Sequence, residues 1–318
     1  MQAPTWLPFR IRCRWDNARI DWALRGVDRT PPRPASPVAN ADAEVHMLLC
    51  RRDRWIGLLA LKSLLRFPDA HLAVTLTDDG SLTEADRRWF DRHVPGCRWL
   101  PRHVSDPRLD RFLADHPRLK RGYDGGFPLY GKLLHPLVLN QAERVIVCDS
   151  DTAFFRRPER LLQWARGQDA HGWYLHHHQN QELQVPNETR EAFKELAERC
   201  SHNGTQWRMD YYFFNSGLLA FRPSQLNLDL AEVYLAWLET ASARYHTGQT
   251  QWWFCDWTPE QMAYQCMFAL MDPPAKPLGD DYYIGGDAGH VFNHFLRHSL
   301  RQKQSLKMLS EFVESLKT

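Results

Sequence analysis

Apolar positions along this chain follow two periods. Val45-His-Met-Leu-Leu-Cys50, His71-Leu-Ala-Val-Thr-Leu-Thr77 and Val145-Ile-Val-Cys148 are short, nearly continuous apolar runs, the pattern of buried strands. Between the first two, Ile56, Leu59, Ala60 and Leu64 recur at helical spacing within Asp53 to Leu65. Strand, helix and strand within about 30 residues make a βαβ unit, which requires parallel pairing and a right-handed crossover. Further helices are predicted at Glu84 to His93, Leu129 to Gln141, Pro158 to Trp164, Glu188 to Cys200 and Leu228 to Tyr245, and the cluster Trp252 to Gln261 feeds another through Leu270. A last helix carries Leu306, Leu309, Val313 and Leu316, and Cys97 to Leu100 is a short strand. Tyr212 to Phe221 reads as a strand interrupted at Asn215-Ser216-Gly217, where backbone comes close to a ligand or forms a bulge around a self-satisfied Asn. The fold class is α/β, a mixed, mostly parallel sheet flanked by helices.

The two ends stand apart from this pattern. Residues 1 to 30 hold Trp6, Phe9, Trp15 and Trp22 among arginines, and Pro31-Pro-Arg-Pro-Ala-Ser-Pro37 follows. Residues 1–40 are therefore read as an appendage whose Pro run is a linker or a strap over the surface, 41–298 as the main domain and 299–318 as a docking helix. A Trp and Arg mixture can stack on nucleic acid bases, but it is expected here to pack on its own protein. A net charge of +2 with 25% charged residues argues against a dedicated nucleic-acid binder. Seven cysteines without a Cys-x-x-Cys pair suggest free thiols in a reducing compartment. With no signal peptide and no apolar run long enough to span a membrane, the expected location is cytoplasmic.

The candidate chemistry gathers where strands end. Asp149 and Asp151 close the Val145 run, and the side-chain period of a strand can aim both carboxylates the same way. Like charges at that spacing call for a cation, and hard oxygen ligands suit Mg²⁺ or Mn²⁺. The bland alternative is an Asp-Ser-Asp turn after a core strand. Open α/β sheets bind ligands beyond the carboxyl ends of their strands, so Cys50, Arg51, Asp78 and Asp149-Ser150-Asp151 are expected to line one crevice. Trp252-Trp-Phe-Cys-Asp256-Trp-Thr-Pro-Glu260-Gln261 is either a sugar platform, with indoles under apolar sugar faces and carboxylates on hydroxyls, or core filling. Of the run His176-His177-His178, at most two could share a metal, because neighbours on a strand face opposite ways.

In order along the chain these pieces resemble the sugar-nucleotide-dependent glycosyltransferases of the GT-A fold, above all the retaining family eight of glycogenin and bacterial galactosyltransferases. The resemblance spans Val45 to His294 and rests on Lys132 in the helix before Asp149-Ser-Asp151, on Phe214-Asn-Ser-Gly217, on Glu260-Gln261 and on the late His290 to Asn293. It implies Mn²⁺ (or Mg²⁺) held by Asp149, Asp151 and His290, with His294 as the other candidate for the third ligand. It further implies a nucleoside-diphosphate sugar, UDP-hexose by analogy, with Lys132, Cys50, Arg51, Asp78, Ser150 and Ser216 on the donor side. Asn215, Glu260, Gln261 and Asp256 are placed beside the reacting sugar. The family's Lys-Pro-Trp after the late His is absent here, and its Asp-Gln-Asp acids are altered. The rival readings are an inverting transferase with Asp256 or Glu260 as general base, a nucleotidyltransferase, and a non-catalytic sugar- or protein-binding module. A glycan, a lipid-linked sugar, a small molecule and a protein side chain all remain open as acceptor.

Overall fold

A computed structural model describes residues 9–176, 186–201, 207–208, 214–241, 244–245, 259–287 and 289–317. After helix α1 (Phe9–Leu24), strand β1 (Ala43–Leu49) runs through a tight turn into α2 (Arg54–Leu65) and returns as β2 (Leu72–Asp78), parallel to β1. This is the βαβ unit written in the apolar pattern. Helix α3 (Glu84–His93) opens on a capping box in which Thr83 and Asp86 exchange side-chain bonds with each other's amides, and it leads to β3 (Arg98–Leu100). Two helices that periodicity does not announce follow, α4 (Pro107–Ala114) and α5 (Pro117–Asp124), each with Pro in its first turn. Then α6 (Leu129–Val138) delivers the chain to β4 (Val145–Cys148), which pairs in parallel with β1.

The second half adds β5 (Thr152–Phe154), α7 (Glu159–Ala165), β6 (Trp173–His176), α8 (Asn187–Cys200), β7 (Phe214–Phe221), α9 (Asp229–Ala241) and α10 (Pro259–Ala269). Strands β8 (Lys276–Pro277), β9 (Tyr282–Ile284) and β10 (Phe292–His294) precede the short α11 (Arg297–Leu300) and α12 (Lys303–Ser315). The main sheet has seven strands in the order β3-β2-β1-β4-β7-β6-β8, parallel except where β7 runs against β4 and β6. A small second sheet, β5-β10-β9, sits beside it. Alternate residues of β4 and β7 feed different faces. Ile146, Cys148, Leu218 and Ala220 join the apolar cluster under α2 and α12, while Val145, Val147, Leu219 and Phe221 join the one under α8, α9 and α10.

Strand β7 is buried from Phe214 to Phe221, but its pairing with β6 shifts register, with Tyr174 opposite Leu219 and Leu175 opposite Asn215, so the irregularity expected at Asn215-Ser216-Gly217 is a break in that ladder, and its polar atoms are paired within the site below. The N-terminal stretch packs on the body. Ile20, Leu24 and Val27 share a core cluster with Leu306, Leu309 and Val313, so α1 and α12 pack as one layer. The Pro-rich segment lies as a strap, with Arg33 N on His93 O (2.9 Å), Ala35 N on Pro95 O (2.8 Å) and Ser36 N on Leu72 O (2.8 Å).

Buried charges hold the frame at the end of the sheet away from the strands' carboxyl termini. Glu44 on β1 accepts Thr75 Oγ1 (2.6 Å), Arg98 Nη2 (2.9 Å) and the amides of Gln141 (2.6 Å) and Ala142 (3.2 Å). Burial opposes its charge, but these bonds and His46 hold the carboxyl well below the usual range. One side chain thus fixes the register of β1, β2 and β3 and the entry into β4.

Lys62, on α2 and 1% exposed, ties down the strap: its ammonium donates to the carbonyl (2.9 Å) and hydroxyl (2.7 Å) of Thr30 and sits 3.0 Å from His93 Nδ1. Burial pushes Lys62 down to about 8 from 10.5. Below that lower value the folded state carries the full penalty of a buried ammonium, and the penalty lifts as pH climbs toward the upper one. The stability of the wild type relative to Lys62→Met therefore rises by about 2 kcal/mol between pH 8 and pH 10.5. Urea denaturation across that range checks this, and a difference that stays flat contradicts it.

Candidate active site

The carboxyl ends of β1, β2 and β4 open into a cleft of about 540 Å³. Its centre is Asp149, the residue after β4. Because β7 runs antiparallel to β4, with Leu218 opposite Cys148, Asp149 N donates to Gly217 O (2.9 Å) and brings the carboxylate alongside Asn215-Ser216-Gly217. The two carboxylate oxygens divide the site: Oδ1 lies 2.7 Å from Lys132 Nζ, and Oδ2 lies 3.6 Å from His294 Nε2.

On one side of Asp149 is a buried ion-pair network. Lys132, from α6, also meets Glu260 Oε1 (2.9 Å) and donates to Ser216 Oγ (3.0 Å), while Ser216 Oγ donates to Glu260 Oε1 (2.7 Å). Gln261 Oε1 accepts the Ser216 amide (3.1 Å). Burial works against the Lys132 charge, but Asp149 and Glu260 more than offset it and keep the ammonium protonated. Glu260 is 2% exposed, and its second oxygen, Oε2, has no hydrogen-bond partner among the described residues. It leaves a buried carboxylate oxygen behind the cleft wall with unused acceptor capacity among the described residues.

On the other side are Asp151 and His294. The imidazole Nε2 is 3.2 Å from Asp151 Oδ1, and the three side chains can place one ligand atom each within 4.8 Å of one another. His294 Nδ1 is 3.1 Å from Asn215 Oδ1, which also accepts the Gly217 amide (2.8 Å), so Nδ1 is the protonated nitrogen. That leaves Nε2 turned to two carboxylates, where only a proton or a metal ion satisfies all three groups. Burial lowers the basicity of His294, while Asp151 and Asp149 more than reverse it, so the ring titrates above its ordinary value. Two carboxylates and an oriented imidazole suit Mn²⁺ or Mg²⁺, with Asn215 as the outer partner that fixes the ring. Gly217 is required by the same contact, because a Cβ there would come within 2.3 Å of His294 Nδ1.

Several expected residues fall elsewhere. His290 is not part of the cluster: it stacks on Tyr283 at 4.4 Å and its Nδ1 faces Asp280 O at 3.1 Å. The reason is register. β10 pairs antiparallel with β5, which sets His294 opposite Thr152, and His290 falls before the strand begins, outside that pairing. Asp78 does not face the cleft, since Oδ1 accepts the amide of Gly80 (2.7 Å) and Oδ2 meets Arg87 (2.6 Å); Asp79 lines the cleft instead. Arg51 turns outward to Asp86 (3.3 Å), and Arg52 takes the place expected of it, held bidentate by Asp53 at 2.9 and 2.8 Å. Cys50 does line the cleft, but burial, with Asp53 beside it, pushes its thiol up to about 11 and makes it a poor nucleophile. Ser150 is also on the cleft wall. Asp256, His177 and His178 lie outside the described residues. Arg52 and Asp79 were each one residue from a position named from sequence, and the turn geometry that separates them leaves no compositional mark.

No known family model matches the chain, and no curated protein matches it. Among solved structures, mouse xyloside xylosyltransferase 1 in its apo form is similar at a TM-score of 0.50 and 12% identity, covering 84% of this chain and 99% of that one. The galactosyltransferase LgtC, in complex with donor and acceptor sugar analogues, gives 0.48 at 11% identity over 86% of this chain and 96% of that one. Core-mannan synthase A from Aspergillus fumigatus, in a Mn/GDP form, gives 0.44 at 12% identity over 77% and 74%. The strand order and the likeness to the first of these show the fold, a mixed, mostly parallel sheet of the GT-A glycosyltransferase type.

Gly217→Ala drives a methyl group into the His294 ring. It is expected to weaken Mn²⁺ binding by about tenfold or more, the usual cost of disturbing the shell around a metal ligand. Calorimetric titration of the folded variant checks this, and an unchanged affinity contradicts the placement of His294.

Proposed function

We propose that this chain is a metal-dependent glycosyltransferase that moves a hexose from a nucleoside-diphosphate sugar, UDP-hexose in the first instance, to an acceptor with retention of anomeric configuration. The observation that carries the reading is the carboxylate of Asp149, shared between an imidazole-carboxylate cluster fit for a divalent ion and a buried Lys132-Glu260-Ser216 network. Both face one cleft at the carboxyl ends of the strands.

Asp149, Asp151 and His294 would hold Mn²⁺ or Mg²⁺, which when bound supplies Lewis-acid charge against which a diphosphate leaves. The protein's own groups do the rest. Arg52, lining the same cleft and within the field of Asp151, offers the diphosphate the guanidinium donors that Asp53 does not take, where the family's Lys-Pro-Trp is missing. Asp53 holds that guanidinium in place. Lys132 cannot be a free phosphate grip, because Asp149 and Glu260 already engage it; it positions those two carboxylates. Glu260 and Asn215 line the cleft where a reacting sugar would gain oxocarbenium character, and the negative charge of Glu260 would stabilise it. Glu260 Oε1 is already engaged by the Lys132 ammonium and the Ser216 hydroxyl, so it is not placed to take a proton from an acceptor, which favours retention over inversion.

A screen of nucleotide sugars for divalent-ion-dependent hydrolysis tests the reading and identifies the donor. Hydrolysis of one sugar nucleotide, abolished by chelation, is expected; no turnover of any of them with or without acceptors rejects it. Asp151→Asn is expected to lower turnover by more than about a hundredfold, the size of one lost electrostatic contact. Arg52→Gln is expected to weaken nucleoside diphosphate binding about tenfold while leaving nucleoside binding unchanged, and an equal effect on both refutes its role at the phosphates.

A further inference from the structure

Helix α1 carries a feature that donor chemistry does not use. Ile11, Trp15 and Trp22 are 48%, 51% and 70% exposed, and with exposed Ala18 they form a stripe at helical spacing on the face turned away from the core. They are three of the four large hydrophobic side chains found exposed among the described residues. The sequence leads one to expect these tryptophans packed on the protein, and the structure turns them outward. Single exposed apolar residues need no explanation, but a contiguous stripe with two indoles does.

The stripe continues into a groove of about 720 Å³ between α1 and α12. Trp15, Trp22 and Leu306 line it together with Arg19, Lys303 and Lys307. Among the charged groups at the groove the acid is Glu311, and it lies 3.6 Å from Lys307. Arg14 is exposed next to Trp15. Indoles beside basic side chains match the headgroup layer of an anionic membrane. The rings rest at the boundary of water and acyl chains, and the cations meet lipid phosphates. A second copy of this chain would bring the same basic rim against itself.

We propose that the Trp15–Trp22 face of α1, with the basic rim of α12, docks the protein peripherally on an anionic phospholipid surface. Among the described residues no helix is long and apolar enough to cross a membrane, so the attachment lies in the interfacial plane. The inner face of α1 turns Asn17 and Asp21 to a chamber of about 140 Å³ that Asp151 also lines. Docking therefore holds the cleft about one helix diameter from the headgroups. A lipid-linked acceptor would be presented there, a consequence that rests on the transferase reading above.

The test is flotation of the full chain with phosphatidylcholine vesicles, with and without phosphatidylglycerol, at low and high salt. Wild type is compared with Trp15→Ser/Trp22→Ser and with Lys303→Gln/Lys307→Gln. The expected result is binding only to the phosphatidylglycerol vesicles, reduced by salt, and about tenfold or more weaker in each double variant. Thermal unfolding and metal-dependent donor hydrolysis stay at wild-type level in both variants. No flotation, or flotation that the Trp variant leaves intact, overturns the proposal. So does a wild-type dimer that the Trp variant converts to monomer, since the face is then an interface between copies. Failure of the transferase reading shows in the hydrolysis assay and leaves the vesicle result untouched.

Discussion

The structure around the cleft depends on how three carboxylates, Asp149, Asp151 and Glu260, coexist at the rim of one sheet. Without cations between them, their mutual repulsion would push them apart. The fold answers with cations on both sides. Lys132 is buried between Asp149 and Glu260, at 2.7 and 2.9 Å, and His294 faces Asp149 and Asp151 from the other side. The lysine is a permanent cation. The imidazole is a conditional one: its Nε2 faces both carboxylates, and a divalent ion bound there would displace its proton.

Strand β7 distributes these roles through its period of two. Asn215 and Gly217 serve the imidazole, one by accepting its Nδ1 proton and the other by having no side chain to strike it. Ser216, between them, serves Lys132, Glu260 and Gln261 on the opposite face. The Asn-Ser-Gly segment is thus explained residue by residue, at the point where the pairing of β7 with β6 shifts register. Rigidity is concentrated at the far end of the sheet, where Glu44 joins three strands, so the carboxyl ends can bear unsatisfied chemistry without loosening the register.

Where local pattern decides structure, the sequence was readable. The βαβ unit, the α/β class and the strand ending in Asp149-Ser-Asp151 all follow from apolar runs and turn residues within a few positions of each other. Side-chain direction in turns was not readable. Asp78 closes an Asx turn and Asp79 faces the cleft; Arg51 points out and Arg52 in. Nor was the choice between His290 and His294, which depends on pairing between β5 and β10, three residues each and far apart in the chain. The helices Pro107–Ala114 and Pro117–Asp124 were missed because each is eight residues long and their apolar faces alternate too briefly to register as a period. The tryptophans of α1 defeated the sequence reading for a different reason: composition shows that they are apolar, but only tertiary packing shows which face stays outside.

The most direct test of the central claim is calorimetric titration of UDP into the protein with and without Mn²⁺, for the wild type and for His294→Ala. If the rim of β4 holds a divalent ion beneath a diphosphate, Mn²⁺ tightens UDP binding at least about tenfold, and most of that gain disappears when the imidazole is removed. UDP binding that is indifferent to Mn²⁺, or a gain that survives loss of His294, would contradict it.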